Sequence, residues 1–231
     1  MLVLEGATIS QTDFHLRADL SVAAGERVAI IGPSGAGKST LLAAIAGFVS
    51  LSGGRILWQG QNISGLHPGA RPVSILFQDQ NLFPHLTASE NVGLGLRPDL
   101  RLTASDRSRV EAALERTGLG GFGARRPGAL SGGQQSRVAL ARALLRDRPI
   151  LLLDEPFAAL GPALKAEMLD LVGTIAAQNG TTVLMVSHDP EDARRFAPRT
   201  ILVADGQAFP PADTAALFNA PPAALAAYLG N

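Results

Sequence analysis

The sequence has no cysteine. Disulfides, thiol catalysis and zinc–thiolate sites are therefore excluded, and the absence is compatible with a reducing compartment such as the cytosol. Net charge is missing too, because 20 basic residues balance 20 acidic ones. No basic stripe points to nucleic acid, and no polybasic run points to anionic lipid. No uncharged apolar stretch reaches the roughly 20 residues that span a bilayer. Met1–Gly6 lacks the charged region and apolar run of a signal peptide. If the protein works at a membrane, another chain must tether it there. What remains is an ordinary globular balance, 46% hydrophobic and 17% charged over 231 residues. That length suits one large domain or two small ones with a real core.

Strands dominate the first 31 residues. Leu16, Ala18, Leu20 and Val22 alternate with polar neighbours, as in a strand with one buried face. Arg27–Ile31 is a short apolar run that enters a Gly-rich loop, and Leu41–Gly47 reads as a buried helix. Further strands are expected at 54–59 and 73–77. From about 79 to 148 the pattern is helical. Thr103-Ala104-Ser105-Asp106 resembles a capping box before a helix carrying Val110, Ala113 and Leu114. A second helix is expected over about 134–146, with Val138, Ala141, Leu144 and Leu145 on one face. Ile150–Leu153 and Thr182–Val186 are continuous apolar runs, the pattern of central parallel strands covered on both faces. A helix over about 162–178 joins them. The last strand is expected at 200–205, followed by a tail of short helices. No internal repeat is present. The layout is α/β with a helical insertion.

Three motifs carry chemistry. Gly32-Pro33-Ser34-Gly35-Ala36-Gly37-Lys38-Ser39-Thr40 fits the phosphate-loop pattern in full, between a strand and a helix. Its glycines let backbone N–H groups converge on phosphate oxygens, and the helix N-terminus favours the anion. Lys38 would bridge the β- and γ-phosphates of ATP, and the Ser39 hydroxyl would be a ligand of Mg²⁺. Alone, the pattern says only that a nucleotide binds. Second, the apolar run Ile150–Leu153 ends in Asp154-Glu155-Pro156, which puts two carboxylates at the sheet edge where α/β ligands bind. Asp154 would orient Mg²⁺ or its waters, and Glu155 would polarise the attacking water as general base. Third, Leu130-Ser131-Gly132-Gly133-Gln134 opens a helix with a good N-cap and two glycines. Spacing alone favours an ordinary capped helix. The other reading is a second anion site that faces the ATP of a second copy.

The order of these three motifs resembles the ATP-binding subunits of ABC transporters, whose own signature is the LSGGQ of residues 130–134. The likeness runs along the whole chain, most firmly over 1 to about 206. It implies an α/β phosphate-loop core with an N-terminal antiparallel β subdomain and a helical subdomain inserted at about 79–148. Residues 1–231 would then form one ATP-binding domain, with a short tail from about 207 and no C-terminal regulatory domain. It also implies that Gln78, after Val73–Phe77, contacts Mg²⁺ and the water, while the adjoining segment meets membrane permease subunits. His188 would contact the γ-phosphate. Two copies would sandwich ATP, the phosphate loop of one facing Ser131, Gly132, Gly133 and Gln134 of the other. The expected location is the cytoplasmic face of a bacterial inner membrane, as a peripheral subunit, served indirectly by a periplasmic solute-binding protein and not by nucleic acid.

The sequence departs from the family pattern in three places. Gly161 stands where an Asp usually connects the two sites. Gln135-Ser136-Arg137 replaces Arg-Gln-Arg after the signature. Gln11 aligns with the aromatic that stacks on adenine, with Phe14 nearby. The segment from Arg71 to Gln78, followed by Asn81–Thr87 and Asn91–Leu96, is similar to ATP-binding subunits of bacterial thiamine importers. Other importers (iron, polyamine, sulfate) and lipoprotein-release or export systems share the chemistry. Soluble repair or translation ATPases need coiled-coil insertions or tandem cassettes, and metabolic phosphate-loop kinases lack LSGGQ.

Overall fold

The computed structural model describes residues 1–11, 14–79 and 81–229. Residues 12 and 13 of the N-terminal strand region, residue 80 of the helical segment and residues 230 and 231 of the tail lie outside the described residues. The strands are β1 (Leu2–Gln11), β2 (Phe14–Val22), β3 (Arg27–Ile31), β4 (Gly53–Trp58), β5 (Gln61–Asn62), β6 (Val73–Leu76), β7 (Ile150–Asp154), β8 (Thr182–Val186), β9 (Arg199–Ala204), β10 (Gln207–Ala208) and β11 (Ala212–Asp213). The helices are α1 (Lys38–Ala46), α2 (Ala88–Gly93), α3 (Ala104–Arg116), α4 (Gly132–Leu145), α5 (Pro162–Asn179), α6 (Pro190–Phe196), α7 (Thr214–Asn219) and α8 (Ala223–Leu229).

The strands run in the order β5-β4-β1-β2-β10-β9-β3-β8-β7-β6, with β11 against β9. The β9-β3-β8-β7-β6 half is parallel. The β5-β4-β1-β2 half is antiparallel. Short β10 joins them, parallel to β2 and antiparallel to β9. The alternation in β2 works as its sequence predicts, since Leu16, Ala18, Leu20 and Val22 are all buried.

Both faces of the parallel half are covered, so its strands are largely apolar, with Ser74, Thr182 and Thr200 as buried polar exceptions. Period-two geometry divides their side chains. Ile150, Leu152, Leu184 and Val186 join Leu41, Leu42 and Ile45 of α1 in one cluster. Leu151, Leu153, Val183 and Met185 join Leu140 of α4, Met168 and Val172 of α5 and Phe196 of α6 in another. A third cluster holds Val92 of α2, Val110 and Leu114 of α3, and Val138, Ala141 and Leu145 of α4. One face of α4 thus packs on the sheet and another on the inserted helices.

Several expectations need correction. Helix α4 begins at Gly132 rather than 134, because Ser131 is its N-cap and both glycines lie in its first turn. The strand at 200–205 is not the last, since β10 and β11 precede the short helices of the tail. Two-residue strands carry too little periodicity to show in sequence. Helix α2 was hidden inside the broad helical stretch, and its capping box of Thr87 and Glu90 gives its start. The expected box of Thr103 and Asp106 is present at α3.

Arg71, 3% exposed, fastens α1 from behind. Its guanidinium donates to the carbonyls of Ala44 and Ile45 at 2.7 and 2.9 Å, and to those of Leu66 and Ser64 at 2.9 and 2.7 Å. The first two acceptors lie in the last turn of α1, where carbonyls run out of helical donors; the Ala44 carbonyl also accepts from the Gly47 N–H at 3.2 Å. Replacing Arg71 by Met should lower the unfolding free energy by about 3 kcal/mol, the scale of leaving buried acceptors unmet. Arg71→Lys should recover only part, because one ammonium cannot span the four carbonyls. Urea unfolding of the three chains checks this; equal midpoints would refute the clamp.

Candidate functional site

Parallel register brings the chemistry to one edge. Ile30 of β3 pairs with Val186 of β8, Val186 with Asp154 of β7, and Leu153 of β7 with Leu76 of β6. Each strand ends within a residue or two of the same level. Past that level come Gly32 after β3, Ser187 and His188 after β8, Glu155 after β7, and Gln78 after β6. Residues separated in sequence by up to 156 positions therefore meet along one line.

The loop 32–37 is a run of unusual backbone. Gly32, Gly35 and Gly37 have φ of 148°, 78° and 102°. A side chain on Gly32 would meet the Val203 carbonyl oxygen at 2.0 Å, and one on Gly37 would meet the Phe14 ring at 2.5 Å. Gly37 is the N-cap of α1 and brings no capping side chain. The first-turn N–H groups of α1 therefore face outward toward the space above the loop. Buried Lys38 donates to the carbonyls of Gly32 and Pro33 at 2.7 and 2.9 Å. Burial pushes its pKa down, opposed by the charges of Glu155 and Asp154.

Asp154 accepts from the Ser39 hydroxyl at 2.9 Å. Burial pushes its carboxyl above the usual range, against the opposing pull of Ser39 and Lys38. Two hard oxygen donors thus sit together beside a cation and the phosphate loop. That donor set fits Mg²⁺, which takes one or two protein oxygens and fills its shell with phosphate and water. Among the described residues there is no larger cluster of His, Asp or Glu able to hold a metal.

Glu155 has φ of 48° and its N–H donates to the Val186 carbonyl at 3.2 Å. A non-glycine residue in this region marks a turn held by its surroundings. Its carboxylate meets His188 Nε2 at 2.7 Å, with side chains 14% and 56% exposed respectively. The carboxylate is sheltered and the ring is open. A neighbouring network braces this corner. Ser187 Oγ donates to Asp192 at 2.5 Å, and Lys165 of α5 pairs with Asp189 and Asp192, each at 2.8 Å. Burial works to lower the Lys165 pKa, but the hydrogen bonds to Asp189 and Asp192 outweigh it and hold the ammonium charged. Lys165, Asp192 and Ser187 escape a motif search because no local pattern links them; only the fold brings α5 and α6 together.

Other expected residues stand apart. Gln78 is exposed, beyond the end of β6. Ser131 and Gln134 bond each other in a capping box, at 3.0 and 3.3 Å, and buried Gly133 leaves no room for a side chain beside Leu164 of α5. This turn belongs to the α4–α5 face, so within one chain it forms no direct polar link to the loop 32–40. Gly161 is the N-cap of α5, without a side-chain cap. Gln11 pairs with Phe14 at the end of the β1–β2 ladder, and it is Phe14 whose ring reaches the loop, against Gly37.

The family model for "ABC transporter" matches residues 16–158. Along its full length the chain is 70% identical to the thiamine import ATP-binding protein ThiQ of Cereibacter sphaeroides and 60% identical to that of Ruegeria sp., covering all of each. It is 52% identical to the protein of the same name from Escherichia coli (strain K12), over 90% of this chain and 89% of that one. Among solved structures it is similar to a dimeric ATP-binding cassette in a post-hydrolysis state bound to ADP and Pi. The TM-score is 0.80 and the identity 33%, over 93% of this chain and 99% of the other.

The loop geometry is open to a direct test. Gly37→Ala combines a left-handed backbone with a ring collision, whereas Gly35→Ala meets nothing within 4 Å. Gly35→Ala should cost about 1–2 kcal/mol for the backbone alone, and Gly37→Ala clearly more. Urea unfolding without nucleotide measures both; equal costs would show that Phe14 does not press on the loop.

Proposed function

This chain belongs to the ABC transporter family as an ATP-binding cassette, and from that membership we propose that it hydrolyses ATP to drive import of thiamine through separate permease subunits. The observation that carries the chemistry is the meeting of Lys38, Ser39, Asp154, Glu155 and His188 at one sheet edge. The assignment of solute rests on the whole-length likeness to proteins named for thiamine import.

In this reading the N–H groups of 32–40 hold the phosphates of ATP, and Lys38 turns its ammonium from the loop carbonyls to the β- and γ-phosphates. Ser39 and Asp154, with Gln78, would hold Mg²⁺, which would supply positive charge against the developing phosphate charge. Glu155 accepts the proton of the attacking water. Its resting partner is His188, whose open ring is free to swing toward the γ-phosphate and leave the carboxylate to the water. Phe14 offers the apolar surface nearest the loop, where Gln11 provides no ring. The Gly132 and Gly133 N–H groups face the ATP of a second copy, so two chains close over two nucleotides. ATP then acts as a ligand that favours the closed dimer.

Closure needs a handle for the membrane. Phe48 and Phe83 are large apolar side chains left 56% and 47% exposed. Phe48 lies against Phe77, beside Gln78. Buried Asn91 braces the Phe83–Thr87 loop, accepting from Phe83 N–H at 2.8 Å and donating to the carbonyls of Phe83, Leu86 and Thr87 at 3.0–3.2 Å. A permease docking here would feel movement of Gln78 directly. No helix among the described residues is long and apolar enough to cross a membrane, which fits a peripheral subunit on the cytoplasmic face. A periplasmic binding protein would deliver the solute from the opposite side.

Glu155→Gln should bind ATP, turn it over at least ~100-fold more slowly and accumulate as a dimer; normal turnover would remove Glu155 from the base role. Lys38→Ala should lose nucleotide binding or hydrolysis, as read by nucleotide titration. For the solute, the chain purified with its permease should show ATP hydrolysis stimulated by thiamine-loaded binding protein. Stimulation by a different loaded binding protein instead would overturn the thiamine assignment and leave the ATPase intact.

A further inference from the structure

Tyr228 is the only tyrosine in the chain. It lies on α8, which the fully buried Leu225 anchors to the core, and its ring packs against the second cluster. Its hydroxyl donates to the carbonyl oxygen of His188 at 2.5 Å. The next N–H along, that of Asp189, donates to Ser187 Oγ at 3.1 Å. These two groups belong to one peptide unit. Because a peptide is planar, gripping its oxygen from α8 and its N–H from Ser187 fixes the plane that follows His188, and with it the direction from which the imidazole leaves the backbone.

The grip comes from two sides. Ser187 is itself held, its N–H donating to Ile30 at 3.2 Å and its hydroxyl to Asp192 at 2.5 Å. Asp189 caps α6 and pairs with Lys165. Among the described residues, Ser187 and Asp189 on either side of His188 are thus tied to the sheet, α5 and α6, while the His188 carbonyl is secured from α8. Burial, and then the nearby charges of Asp189 and Glu155, push the phenol pKa of Tyr228 up. The hydroxyl stays protonated and remains a donor.

We propose that Tyr228 is a positioning residue for His188, so that the C-terminal helix α8 sets the orientation of the ring that pairs with Glu155. This rests on the site reading given above. The hydrogen bond is solvent-accessible, so water can replace the hydroxyl at little cost to stability. A water is not anchored to the core by Leu225, and it cannot fix the peptide plane.

The test is Tyr228→Phe in the full chain, which removes one oxygen and keeps the ring. With Mg·ATP, kcat should fall about 3–10-fold, KM should stay within about two-fold and the unfolding midpoint should hold. In a His188→Ala background the same substitution should change the residual kcat by less than about two-fold, because residues acting through one another are not additive. Histidine resonances of the ¹⁵N-labelled chain give a second readout that needs no turnover. The His188 signal, identified by its loss in His188→Ala, should shift in Tyr228→Phe. An unchanged kcat, an equal drop in both backgrounds, or an unmoved His188 resonance would each overturn the proposal. A fully active His188→Ala would instead overturn the site reading beneath it.

Discussion

The parallel register of β3, β8, β7 and β6 is the constraint on which the site depends. Each strand is covered on both faces and is largely apolar, and a slip of one residue would exchange its two buried faces. The register is therefore held by the whole core. Chemistry at the strand ends inherits that rigidity. Asp154 and Val186 are register partners, and the residues that follow them, Glu155 and Ser187, leave the sheet at the same height. The 2.7 Å approach of His188 to Glu155 is a result of strand pairing before it is a result of side-chain attraction.

The same burial sets the electrostatics. Lys38 and Asp154 are both taken from water, and burial disfavours the charged form of each. Each is part of what keeps the other charged, with Ser39 and the loop carbonyls sharing the task. Such an arrangement is expensive to hold without counter-charge, and it favours any ligand that supplies phosphate oxygens to the lysine and a cation to the carboxylate. The loop backbone is fitted to the same task. Its glycines adopt left-handed φ without steric cost, and at two of them Val203 and Phe14 leave no room for a side chain.

Legibility in the sequence followed range. Phosphate-loop, carboxylate and LSGGQ segments are contiguous, so residues 32–40, 154–155 and 131–134 could be read directly. The apolar runs of β7 and β8 showed which strands are central. Gln78 and His188 have no local chemistry to mark them and were reached only through family resemblance. Lys165, Asp192 and Tyr228 were not reached at all, because their partners lie 24, 5 and 40 residues away on different elements. Boundaries erred where backbone choice outweighed pattern: the glycines of α4 look like loop and are helix, because Ser131 and Gln134 cap them. The adenine side illustrates the opposite case. The resemblance offered Gln11 at the stacking position with Phe14 as its nearby substitute; the ladder pairs the two, and it is the Phe14 ring that stands beside Gly37.

The capping box at Ser131 bears on the proposal that the signature turn serves a second chain. An α-helix leaves its first N–H groups without internal acceptors. Here the box satisfies the N–H groups of Ser131 and Gln134. Those of Gly132 and Gly133, between them, have no intrahelical acceptor. Gly133 is packed against Leu164, so the turn cannot fold back on itself to supply one. The turn is rigid, carries donors, and stands on the α4–α5 face rather than over its own phosphate loop. In the proposed two-chain arrangement, an anion from another chain would meet those donors without reorganisation on this side. Gly161, at the start of α5 beside the same face, offers no carboxylate to relay that contact. On the proposed two-chain arrangement, the link between the two nucleotides would fall to backbone donors and to the packing of α5, whose Lys165 continues to Asp189 and the His188 turn.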